Sequence, residues 1–198
     1  DDGNCCLSQS NQIGQTITST ETYDRTGYVT SISNDGNTFA VGSPNASSNR
    51  GLTRLYTKVS DPSLGTWTWT QTATILGESF SDRSGMSVSL SGDGNTIAIG
   101  APQNDGNGNN SGHVRVFENF SGVWSQKGQD IEGEASGDES GGSVSLSVDG
   151  NTVAIGARYN DGGGSTSGHV RIYEYISGIW TQVGIDINGE YNDQSGRS

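Results

Sequence analysis

The chain has 198 residues, a net charge of −12 and only 10 Lys plus Arg against 22 Asp plus Glu. Nucleic-acid binding needs a basic face for phosphates, and this composition cannot build one; no apolar run of about eighteen residues exists, so no helix here is written to insert in a membrane. Apolar residues make up 29% and Gly numbers 31, a balance that points to short strands joined by tight turns.

Residues 1–10 form an N-terminal segment with adjacent Cys5 and Cys6. A neighbouring Cys pair with two distant histidines offers no converging metal ligands. A bond between neighbours is strained, so disulfides to another chain, or to an unseen part of this one, fit better. Residues 11–26 follow. Gln12-Ile13-Gly14-Gln15-Thr16-Ile17 reads like the strands at 126–131 and 182–187, and 21–27 reads like the segment 134–141. The chain therefore opens on an orphan fourth strand and a crossing.

The rest is periodic. Anchor glycines Gly27, Gly85, Gly141 and Gly196 lie 58, 56 and 55 residues apart. A fixed period of this size means a solenoid, propeller or array. The units are 27–84, 85–140 and 141–195, with 196–198 opening another. In the second unit Met86, Val88 and Leu90 alternate with Ser87, Ser89 and Ser91, a half-buried strand. Gly92-Asp93-Gly94-Asn95 is a hairpin turn. Thr96–Gly100 is apolar enough for burial on both faces. Gln103–Ser111 is a Gly/Asn loop, Gly112–Glu118 a third strand, and Asn119–Gly122 a turn. A fourth strand is expected over Val123–Ile131, and 133–139 crosses to the next unit. The third unit obeys the same scheme, and the first follows it with a longer turn containing Pro62. The fold class is all-β: β-propeller-type repeats, four-stranded antiparallel blades of about 56 residues.

Propellers close with four to eight blades. Three blades and a fraction leave strand edges that recruit other strands. The expected partners are the remaining blades of a longer chain or further copies of this one. Copies would complement one another or join head to tail in a filament, with segment 11–17 donated as a strand and Cys5-Cys6 locking the joint.

Gly100-Ala101-Pro102, the preceding Gly85-x-Ser-Val and the following Gly112-x-Val-x-Val-Phe resemble the FG-GAP repeat of integrin α-subunit propellers and related extracellular proteins. Glu134-Ala135-Ser136-Gly137-Asp138 resembles that family's inter-blade crossing. The resemblance spans most of 11–198. It departs in having Ser-Gly or Thr-Gly for Phe-Gly, and Gly-Ala-Arg at 156–158. The resemblance implies an extracellular propeller, and calcium where an Asp-rich loop joins the first two strands. Here each such loop has one acid, Asp35, Asp93 or Asp149. Calcium takes six to eight oxygens, so these read as turn residues. Asp105 and Asp161, in the longer loops, are the better candidates for a cation. No metal site and no cofactor is otherwise expected.

His113 and His169 recur in phase and so read as blade residues, whereas a catalytic group sits once among unlike partners. Arg54, Arg115 and Arg171 recur too, with Glu118 and Glu174 as nearby acids to pair with. Trp69, Trp124 and Trp180 read as blade packing, or as ligand-facing aromatics that stack on a sugar. Asn45, Asn109 and Asn119 open glycosylation sequons in expected loops or turns. No phosphate loop, nucleophile elbow or zinc spacing is present, so no catalytic residue is assigned. The reading is an extracellular, non-enzymatic, structural or adhesive protein, self-assembling through strand complementation. Its alternative is a carbohydrate- or protein-binding module of a larger secreted or cell-surface receptor, with an extracellular protein or glycan as ligand.

Overall fold

A computed structural model describes residues 14–19, 21–61 and 66–198. Cys5 and Cys6 lie outside the described residues. Alternating apolar residues and Asp-Gly turns fold into three antiparallel sheets. Blade 1 is β1 (Val29–Ile32), β2 (Thr38–Ser43), β3 (Leu52–Asp61) and β4 (Thr66–Leu76), hydrogen-bonded in that order. Blade 2 is β5 (Ser87–Leu90), β6 (Thr96–Ala101), β7 (His113–Phe120) and β8 (Val123–Gln126), with β9 (Ile131–Glu132) returning to pair with β7. Blade 3 repeats this with β10 (Ser143–Leu146), β11 (Thr152–Ala157), β12 (His169–Ile176), β13 (Ile179–Gln182) and β14 (Ile187–Asn188). Among the described residues no helix is long and apolar enough to cross a membrane.

The expected fourth strand over Val123–Ile131 is interrupted. Its halves pair with different parts of β7, β8 with Phe117–Phe120 and β9 with His113 and Val114. The chain bulges between them at Gly128, where φ is +77°. A Cβ there would come within 2.8 Å of the Trp180 indole on blade 3. The break lets the neighbouring blade's tryptophan in. The β7–β8 hairpin turns on Ser121-Gly122, both at positive φ (52° and 89°), the backbone of a two-residue primed turn.

No blade has a private core. One apolar cluster joins Ala40, Leu55 and Ile75 of blade 1 to Val88, Leu90, Ile97 and Ile99 of blade 2. The next joins Ala98, Val114, Val116 and Ile131 of blade 2 to Val153, Ile155 and Trp180 of blade 3. The serines of the first strands serve the joints: the Leu90 amide donates to Ser31 Oγ and the Leu146 amide to Ser89 Oγ, each at 2.9 Å. Outer strands are clamped as well. Gln129 accepts from the Trp180 amide and donates to its carbonyl, while Trp180 Nε1 donates to the Lys127 carbonyl. Gln15 holds the Trp69 backbone in the same two-way manner, so residues 14–15 meet blade 1 as residues 128–129 meet blade 3.

Candidate functional site

His113 opens β7, with Ala101 on one side and Glu132 on the other. Gly112 leads into it at φ +75° and forms a parallel bridge to Ser140. The imidazole is buried at 1% exposure, and Nδ1 has no hydrogen-bond partner. It faces two carboxylates, Asp130 Oδ2 at 3.8 Å and Glu78 Oε2 at 3.9 Å. Asp130 stands just before β9, and Glu78 stands in the crossing from blade 1. One period on, His169 (3% exposed) likewise has an unpartnered Nδ1, 3.8 Å from Asp186 Oδ2 and 3.9 Å from Glu134 Oε2. Blade 1 has Leu52 and Thr74 at the matching positions.

Burial holds both histidines below their ordinary pKa, and Arg115 or Arg171 adds to this; the facing acids oppose it without prevailing. Both imidazoles are therefore neutral at pH 7. Glu132, at the same corner, is pushed up by burial and by the charges of Asp130 and Glu78. A groove of about 380 Å³ beside the first cluster is lined by Glu78, Asp82, Asp105 and Glu132.

The two clusters differ in what their carboxylates hold. In blade 3 Arg171 donates to both oxygens of Asp186, at 2.9 and 2.8 Å, and is paired with Glu134 Oε1; Asn160 donates to Glu134 Oε2. The hydrogen bond from Arg171 leads the causes that hold Asp186 below the usual carboxylate range. In blade 2 Arg115 reaches only Glu78 Oε1, at 3.3 Å, and spends its other end on the Leu76 carbonyl at 2.7 Å. Gln126 donates to Asp130 Oδ1. Glu78 Oε2 and Asp130 Oδ2 are left turned toward the histidine.

These pairings correct the expected ones. Arg115 and Arg171 reach across the crossing to Glu78 and Glu134, while Glu118 pairs with Lys127 at 3.5 Å. Arg54 lies 3.9 Å from Asp24. Register explains it: Glu118 lies three residues beyond Arg115 on β7, so the two side chains stand on opposite faces of the sheet.

Asp93 accepts from Ser91 Oγ and from the Asn95 amide and side chain, and Asp35 and Asp149 hold the same turn. Asp105 and Asp161 brace their own loops, accepting from the amides of Asn110 and Thr166. Trp180 is buried in the blade 2–3 joint and closed to a ligand, whereas Trp69 packs edge-on to Phe39 and Trp124 packs on the first cluster of the core. Asn109 is on an exposed loop. Asn45 precedes a short turn over Ala46–Asn49 in which Ser47, Ser48 and Asn49 are left-handed. Asn119 lies within β7 rather than in a turn, its side chain accepting from the Gly122 amide.

The FG-GAP repeat family model matches residues 69–117 and 132–173. These two segments are FG-GAP repeats. Each matched FG-GAP segment contains a crossing glutamate and the histidine it faces, Glu78 with His113 and Glu134 with His169. No curated protein matches the chain in sequence. Among solved structures it is similar to a chain of Kuenenia stuttgartiensis hydrazine synthase, at 11% identity and a TM-score of 0.48, covering 89% of this chain and 42% of that one. The chain thus spans less than half the length of that protein.

The acids of the clusters escape a reading of single residues. Their signal is a phased one: Asp130-Ile131-Glu132-Gly133-Glu134 and Asp186-Ile187-Asn188-Gly189-Glu190 recur with the period, as does Gly77-Glu78.

Proposed function

We propose that the chain is an extracellular, non-enzymatic module with a structural or adhesive role, built by adding blade to blade. One observation carries this. Blade 3 displays Ala154, Val170, Ile172 and Ile187 at the positions where blade 2 buries Ala98, Val114, Val116 and Ile131. Ile131 is 4% exposed and Ile187 57%. Among the described residues the short segment 195–198 reaches that face, at Gly156 and Val170, and no blade covers it. Its chemistry suits what covers the equivalent face of blade 2, namely a Val/Ile/Trp blade surface. The occupant is a further FG-GAP blade, on a second copy or in a longer chain, and its seating lengthens the array. Abundant FG-GAP repeats on extracellular proteins and the acidic composition support secretion.

Light scattering across a wide concentration range, with electron microscopy of the same samples, tests this. Concentration-dependent growth that Ile187→Asp abolishes supports the reading. A discrete monomer throughout, unaltered by Ile187→Asp, defeats self-assembly. A second reading, a protein- or glycan-binding module, draws on a recess of about 180 Å³ lined by Tyr28, Met86, Pro102, Glu139 and Arg158. Glycan-array binding lost on Tyr28→Ala would favour it.

A further inference from the structure

We infer that Glu78, His113 and Asp130 form a binding site for one divalent first-row transition cation, with zinc as its probe, and that the matching cluster of blade 3 is closed to it. Three potential ligand atoms, one on each residue, lie within 4.8 Å of one another. His113 Nδ1 is a buried polar atom with no partner, aimed at two carboxylate oxygens that no arginine takes. Leaving such an atom unpaired costs free energy, and a cation between the three removes that cost. Zinc bonds to nitrogen and oxygen at about 2.0–2.2 Å, so tetrahedral ligands stand about 3.4 Å apart. The observed 3.8 and 3.9 Å require a contraction of about half an ångström, within the reach of a side chain such as Glu78. Imidazole nitrogen selects against calcium, which takes oxygen ligands. A fourth position is left for water.

Arg115 does not fill the site. The Leu76 carbonyl and Glu78 Oε1 hold its guanidinium to one side, over the Phe117 ring. Arg171 does fill the other site, through Asp186 and Glu134 together. The cation would tie the blade 1–2 crossing to the start of β7 and the bulge before β9.

Calorimetric titration of the chelator-treated full chain with zinc tests the inference, with cobalt(II) spectra to separate nitrogen and oxygen ligation from thiolates at Cys5 and Cys6. The expected result is one site without thiolate bands, whose affinity falls more than about a hundredfold in His113→Asn, beyond what loss of a supporting residue costs. His169→Asn should leave it within about twofold, as a distant substitution would. Glu78→Gln, a change at a half-exposed side chain, reads the same site if His113→Asn fails to fold. No saturable binding, binding indifferent to both Glu78→Gln and His113→Asn, or equal dependence on His169 would overturn it.

Discussion

Blades 2 and 3 share a sequence template but not an environment. Strand β6 is buried along its whole length because blades lie on both sides, whereas in the equivalent β11 every other early residue is half-open. The same holds for Ile131 and Ile187, or Gly128 and Gly184. Burial in such a protein is conferred by the neighbour as much as by the residue, since each repeat contacts only the repeats beside it.

Paired substitutions at equivalent positions probe this difference directly. Ile131→Ala should cost about 2–4 kcal/mol in urea unfolding, as a large-to-small change in a packed core does. Ile187→Ala, at concentrations where the chain is monomeric, should stay within about 0.5 kcal/mol. Equal costs would break the comparison. Gly128→Ala comes next. It meets the Trp180 indole and must hold φ at +77°, whereas Gly184 at +79° has nothing within 4 Å of its Cβ position. The left-handed conformation alone costs about 1–2 kcal/mol in both, and the clash should add about 1–3 kcal/mol at Gly128 only. Gln129→Ala removes both hydrogen bonds to the Trp180 backbone and should cost about 1–2 kcal/mol. Its counterpart Ile185→Ala, on an exposed side chain, should be nearly silent.

The smallest effect concerns acid. Burial holds His113 and His169 below their ordinary pKa, so the unfolded chain takes up protons first as pH falls. That stability is complete above about pH 6.5 and declines as pH drops toward the lowered folded value. Asp93 is held down by the Ser91 hydroxyl, as Asp35 is by Ser33 and Asp149 by Ser147, and these contributions are lost below about pH 4. Metal-free protein should therefore show a shallow loss of thermal stability near pH 6 and a separate one near pH 4. The first should vanish in a His113→Asn, His169→Asn double variant.

Much of the fold is legible in the order of residues. Thr96–Gly100 is expected as a doubly buried strand, and Thr96–Ala101 is one. Asp-Gly-Asn turns and period-two serines place the first and third strands of blade 2 within about two residues. The split fourth strand is not legible, because its cause is an indole on the next blade, and Gly128 in isolation reads as continuation. The histidines are legible as repeat residues, but their acids are not. Glu78 comes from the previous crossing, so the cluster assembles only when one blade is laid against another. Likewise, proximity along the strand pairs Arg115 with Glu118, while register and the crossing pair it with Glu78.

The serine contacts give each blade a sense. At both joints the earlier blade supplies a hydroxyl acceptor, Ser31 or Ser89, and the later blade supplies an amide, Leu90 or Leu146. A blade laid on in reverse would set amide against amide, two donors with no acceptor between them. A twofold axis cannot run through such a joint, because it would have to map one kind of surface onto itself. Hydrogen-bond polarity at the joints thus favours blades added head to tail. Such a joint, repeated, is a rotation in one direction, whose angle and rise per blade decide between a ring and a screw.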